Sequence, residues 1–101
     1  MKNIIANKEF MTRVAQGKVI QTLRVWKKKH NIHPGEIVNL FNFRDKLPVR
    51  ITDIYEKNIT DLTTAEAQAN GYESALSLIG AMNRIYGTTA QVIVIRFVLV
   101  R

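Results

Sequence analysis

Lys18, Thr22 and Arg24 stand two or four residues apart in the stretch GKVIQTLRVWKKKHNIHPGE, Gly17–Glu36. A threonine hydroxyl becomes a nucleophile once a base takes its proton, and an unprotonated lysine can be that base. A neighbouring arginine can hold a phosphate or a carbonyl oxygen. On an extended chain, positions 18, 20, 22 and 24 leave one face and Val19, Gln21, Leu23 and Val25 the other. The pattern therefore pairs a packing face with a face able to hold something polar. The plainer alternative is a half-exposed strand carrying polar side chains.

Trp26 followed by Lys27, Lys28 and Lys29 joins an aromatic face to concentrated positive charge. That pairing suits single-stranded nucleic acid, in which bases stack while phosphates are neutralised. The alternative is a solvated lysine run after a core tryptophan. His30 and His33 lie three apart with no cysteine in the chain and only Glu36 as a nearby acid, so no metal site is expected. Ser74 and Ser77 have no matching His/Asp arrangement, and there is no glycine-rich phosphate loop. No cofactor is expected.

Positioning these residues requires a mixed set of elements. Asn7 suits an N-cap, apolar residues follow at helical spacing, and Gly17 suits the C′ position of a first helix. The Lys18–Val25 strand follows, then a loop over Lys27–Pro34. Pro34-Gly35 turns the chain into a strand over Glu36–Phe43. Arg44-Asp45-Lys46 is a polar turn, and Leu47–Tyr55 resumes extended, with Pro48 expected at an edge or outside the ladder. Thr63 and Glu66 fit a capping box opening a short helix that ends near Asn70-Gly71. A further helix over Glu73–Tyr86 carries Ala75, Leu78, Ile79, Met82, Ile85 and Tyr86 on one face. Gln91–Val100 is apolar on both parities, which predicts an interior strand covered on both sides, and its Arg96 then needs a carboxylate or a wet cavity. Four to six strands with three helices give an α+β fold, a small barrel or curled sheet flanked by helices.

The chain's 101 residues suit a single domain over 1–101, with 47% hydrophobic and 23% charged residues, as in ordinary soluble proteins. The absence of cysteine excludes disulfides. MKNIIANKEF does not read as a signal peptide, and the longest apolar run, broken by Arg96, is too short to span a membrane. A cytoplasmic monomer with no membrane partner is the expectation. Residues 1–50 hold eleven Lys/Arg against three acids, whereas residues 51–101 hold four against five. Charge so concentrated points to a polyanionic partner, nucleic acid above all.

The order GKxxxTxR, a following tryptophan, PGE entering a strand, a capped helix, xGY and a closing apolar strand resembles the ASCH domain family. The resemblance runs from Phe10 to Phe97. It implies a small PUA-like β-barrel, flanked here by about three helices, and an association with RNA. The small bacterial ASCH proteins that act as N4-acetylcytidine amidohydrolases are similar in length. They use a lysine, a threonine and a glutamate, with the pattern GxKxxTxR at the first strand. Gly17, Thr22 and Arg24 match that pattern. The family lysine falls on Val19, with Lys18 one place earlier, and the family glutamate falls on Asn70, between Glu66 and Glu73.

The combined expectation is a domain that binds RNA or a modified nucleoside in a basic cleft. Lys18, Thr22, Arg24 and Asn70 would line it, Trp26 would stack, and Lys27, Lys28, Lys29 and Arg50 would meet phosphates. A second reading is an amidohydrolase of acylated cytidine, with Thr22 as nucleophile and Lys18 as base. A third is a protein-interaction module for an acidic partner.

Overall fold

Alternate residues of Gln91–Leu99 enter two different cores, and the rest of the architecture is arranged around that strand. The computed structural model describes residues 2–25, 31–87 and 91–100, with Tyr86 described by its backbone only. The elements are β1 (Asn3–Ile5), α1 (Lys8–Ala15), β2 (Gln21–Arg24), β3 (Ile37–Phe41), β4 (Lys46–Asn58), a 3₁₀ turn (Ile59–Asp61), α2 (Thr64–Ala69), α3 (Ala75–Tyr86) and β5 (Gln91–Leu99). The strands form a five-stranded mixed sheet in the order β1-β3-β4-β5-β2, parallel at β1/β3 and antiparallel elsewhere. Among the described residues no ladder joins the edges β1 and β2, so the architecture stated here is an α+β sheet with three helices.

The first core takes Ile93, Ile95 and Phe97 from β5, Val49 and Ile51 from β4, Val38 and Leu40 from β3, Ile4 from β1, and Met11 and Val14 from α1. Helix α1 leads from one edge strand to the other and buries its apolar side in that core. The second core takes Val92 and Val94 from β5, Leu23 from β2, Ala67 from α2, and Leu78 and Met82 from α3. The expectation of an interior strand covered on both faces therefore holds for β5.

Strand β4 serves both ends of the sheet through a bulge. Ile51 pairs with Phe97 and Asp53 with Arg96, which leaves Thr52 as the extra residue. An extra residue exchanges the two faces. Val49 and Ile51 before it, and Ile54 after it, thus all meet the first core. Asp53 is the ladder partner of Arg96, the one charge on β5, and Arg96 is half-buried where full burial was expected.

Several expectations are corrected. β4 begins at Lys46 and Pro48 pairs with Asn39 inside the β3/β4 ladder, so the expected edge holds only on its other side, past the end of β5. The proline is tolerated because its carbonyl accepts from Val100, so its nitrogen faces the same side, past the end of β5, where no hydrogen bond is needed. Ile85 is 67% exposed, since the covered face of α3 stops at Met82. β1 was not foreseen, because three residues at a parallel edge carry too little pattern to read. β2 begins at Gln21, three residues later than expected.

Candidate functional site

The late start of β2 has a local cause. Gln16 caps α1, Gly17 takes φ +76°, the Gly17 N–H donates to the Val14 carbonyl, and the Lys18 N–H donates to the Arg13 carbonyl. These two bonds make a Schellman motif, which assigns Lys18 to the end of the helix. Lys18 is therefore exposed in a turn, off the strand that carries Thr22.

Helix α2 ends in the same way. Asn70 is its C-cap, Gly71 takes φ +89°, and the N–H groups of Gly71 and Tyr72 donate to the Gln68 and Ala67 carbonyls. The two helix ends meet, with the Ile20 N–H donating to the Ala69 carbonyl at 3.0 Å. A Cβ on Gly71 would lie 3.0 Å from Val19 Cγ2, so side-chain-free backbone is what allows the approach.

Two adjoining hollows flank this junction. One, of about 290 Å³, is lined by Asn7, Glu9, Phe10, Arg13, Val19, Asn70 and Tyr72. The other, of about 580 Å³, shares Arg13, Val19 and Tyr72 and adds Lys18 and Glu73. The Asn70 Oδ1 is buried and has no hydrogen-bond partner among the described residues. Arg13 is bound to Glu9 at 2.9 Å, an exposed pair one turn apart that solvent weakens. The floor of the first hollow, Val19 and Phe10, belongs to the first core, as do Ile95 and Ile93, the ladder partners of Thr22 and Arg24.

The structure thus brings Lys18 and Asn70 to neighbouring hollows, while Thr22 and Arg24 share the sheet face of the first core and line neither hollow. Thr22 is 4% exposed, and Arg24 is half-buried. Arg50 stands elsewhere: it alternates with Val49 and Ile51, so it leaves the opposite face, and its guanidinium donates to the Gly35 carbonyl. Trp26, Lys27, Lys28, Lys29 and His30 lie outside the described residues. His33 meets the Asn31 side chain at 3.2 Å, and no group of three metal-ligating side chains occurs among the described residues.

Other polar residues escaped the sequence reading. Gln21 is fully buried, and its Nε2 donates to the Glu66 carbonyl while its Oε1 has no partner among the described residues. A polar residue on the packing parity of β2 was the available signal. Glu66 is a hub: one carboxylate oxygen accepts from Lys57 Nζ at 2.6 Å and the Thr63 N–H at 2.9 Å, and the other from the Tyr55 hydroxyl at 2.6 Å. Burial pulls the Glu66 carboxyl up, but the hydrogen bonds from Lys57, Tyr55 and Thr63 outweigh it and bring it down to about 2. Burial first, then the bond to Glu66, pushes the Tyr55 phenol up to about 12. Such a carboxylate stays ionised and occupied, which suits a structural role more than proton transfer.

No family model matches the chain, and no curated protein matches it. Solved structures do. An ASCH domain from Lactobacillus crispatus superposes with a TM-score of 0.78 at 11% identity, covering 97% of this chain and 79% of that one. The hypothetical protein PH0355 gives 0.79 at 18% identity, covering 99% and 100%. A variant ASCH protein from Zymomonas mobilis gives 0.66 at 15% identity, covering 95% and 67%. The chain has the fold seen in ASCH domain proteins, and no helix among the described residues is long and apolar enough to cross a membrane.

Proposed function

We propose that this chain binds RNA or a modified nucleoside at the junction of α1 and α2. The observation that carries this reading is the buried, unpaired Asn70 Oδ1 at the wall of a hollow that also holds Arg13 and adjoins Lys18. A buried acceptor without a partner is costly, and a donor such as the exocyclic amine of a base would relieve it. Phe10 and Tyr72 offer ring surface beside it, and the two cations suit a phosphate. Thr22 and Arg24 stand on the sheet face of the first core, and Trp26 with Lys27–Lys29 would add a stacking ring and charge on sequence grounds. Arg50, on the opposite face, would serve a phosphate path running outside the hollow. The enclosing architecture is the PUA-like barrel implied by the resemblance.

The test is calorimetric titration with cytidine and N4-acetylcytidine, alongside an RNA oligonucleotide. Asn70→Leu should weaken nucleoside binding about tenfold, the worth of a desolvated hydrogen bond. Replacing Lys27, Lys28 and Lys29 together should weaken RNA binding and flatten its salt dependence by roughly 0.7 log unit for each single-strand phosphate no longer neutralised. Unchanged nucleoside affinity in Asn70→Leu would move the site away from the junction.

Hydrolysis of an acylated cytidine is the second reading, favoured by one observation. Val19 and Asn70, where the family lysine and glutamate fall, line the same hollow. The carboxylate and amine of an acid–base pair are absent from those two positions, which removes a contribution of ~10²–10⁴-fold in rate. Little cytidine release is expected from the parent, and Val19→Lys with Asn70→Glu should raise it. Fast turnover by the parent would make binding alone too small a description.

A further inference from the structure

The hairpin between β3 and β4 carries an aromatic residue where a turn would ordinarily take glycine or asparagine. The Asn42 side chain accepts from the N–H groups of Arg44 and Asp45, at 3.0 and 2.7 Å, and the Asn42 N–H donates to the Asp45 carbonyl. The turn is therefore held without any contribution from the side chain of Phe43. Yet Phe43 adopts φ +73°, in the left-handed region that bulky residues avoid, and is 74% exposed. Turn geometry does not account for a phenyl ring there, and its one ring contact, with Phe41, leaves most of it exposed.

Its surroundings indicate what would. The Phe43 ring lies 4.7 Å from that of Phe41, tilted by 58°. Lys46 Nζ stands 5.9 Å from the centre of the Phe41 ring, and Arg44 is exposed beside it. Ile5, opposite Phe41 in the β1/β3 ladder, is also exposed. Asp45 is the one acid in the turn, so the tip has two cations to one carboxylate. An exposed ring backed by a second ring and flanked by cations offers a face to a base and charge to the adjoining phosphates.

We infer that this hairpin tip is a second contact for single-stranded RNA, with an unpaired base stacking on Phe43 and phosphates meeting Arg44 and Lys46. The inference rests on the reading of the chain as an RNA binder, and extends it to a surface away from the α1–α2 hollow. Single-stranded RNA fits better than a protein groove because the first half of the chain is strongly cationic, and a lone protruding ring matches an unstacked base.

The experiment measures fluorescence anisotropy of a labelled single-stranded oligocytidylate with the parent and three variants, each also titrated with free cytidine. Phe43→Asn relieves the backbone, so it should be at least as heat-stable as the parent. It should nevertheless bind the oligonucleotide about 5- to 150-fold more weakly, the range for removing a base–aromatic stack. Phe43→Leu, apolar but without a ring face, should lose affinity too, and Phe43→Trp should retain it. Free cytidine affinity should not change in any variant. Parental oligonucleotide affinity in Phe43→Asn or Phe43→Leu overturns the inference while leaving RNA binding by the hollow intact. A parent that binds cytidine but no oligonucleotide overturns both the RNA reading and this one. Weakened binding to anionic vesicles by Phe43→Asn, with RNA binding unaltered, would assign the tip to a membrane surface and overturn it as well.

Discussion

The two ends of the six-residue helix α2 are built on opposite terms. At its start, Glu66 has both oxygens engaged and closes a capping box with Thr63, so that β4 and α2 are held together through one carboxylate. At its end, Asn70 has its backbone N–H satisfied by the Glu66 and Ala67 carbonyls, yet keeps a buried side-chain oxygen unpaired among the described residues. A saturated polar group fixes a fold, whereas an unsaturated one beside a hollow is held ready for something else. The charge at position 66 and the amide at position 70 thus look alike in sequence and do different work.

The comparison is broken most severely from below. Val94 is fully buried in the second core, on which α2 packs through Ala67 between its two ends. Val94→Asp would bury an unpaired charge at a cost of about 5 kcal/mol or more, comparable with the entire ~5–15 kcal/mol stability of a small domain. No cooperative thermal transition should remain by circular dichroism. Native-like melting would mean that β5 is not covered on this face.

Next in size is Glu66→Ala, which leaves Lys57 and Tyr55 without their partner and removes half of the capping box. A loss of about 3 kcal/mol in urea unfolding is expected. A cost below ~1 kcal/mol would reduce the hub to an exposed ion pair.

The same carboxylate gives the fold a pH signature. Its folded value near 2 lies below the ordinary 4.5, so its contribution is complete above pH 4.5 and falls away as the pH drops from there towards 2. For Tyr55 the sign reverses: its contribution is complete below pH 10 and fades as the pH rises towards 12. Glu66→Ala should therefore flatten the acid arm of a stability–pH curve. An acid arm of parental slope in that variant would place the responsible carboxylate elsewhere.

The smallest expected effect sharpens the contrast most. Asn70→Leu replaces an unpaired buried amide by an apolar group and leaves the backbone cap alone, so stability should rise by about 1 kcal/mol while nucleoside affinity falls. Opposite signs at the two ends of one helix are the outcome that distinguishes a structural polar group from a binding one. A destabilised Asn70→Leu would mean that its amide supports the fold after all.

What could be read in the sequence follows the range of the interactions concerned. The caps at Asn7 and Thr63, the glycines at 17 and 71, and the two-sided strand around Val94 were legible because each depends on residues within a few positions. The fold class followed from them. Lys18 was misplaced because alternation alone does not say where a strand begins, and the helix cap claimed that residue first. Pro48 meets its expected edge on one side only, because which side is open depends on where β5 ends, some fifty residues later. The Tyr55–Lys57–Glu66 cluster and the unpaired Gln21 and Asn70 oxygens arise from contacts between distant segments, and nothing local announces them. Of the proposed site, Asn70 is named by the family pattern, while Arg13, Phe10 and Tyr72 line the hollow only through the meeting of two helix ends.

That meeting has a consequence for how such a domain can change over generations. Positions 18, 70 and 72 are placed by main-chain hydrogen bonds of the two helix caps, and Gly17 and Gly71 supply the turns those caps need. The Lys18 and Asn70 side chains contribute little to holding the junction, so those two can be exchanged with small effect on its shape, whereas Tyr72 also packs against the second core. A chain of this kind can drift from one ligand to another by substitutions that selection for folding scarcely resists. The persistence of one backbone across sequences only 11–18% identical is what such tolerance would leave behind.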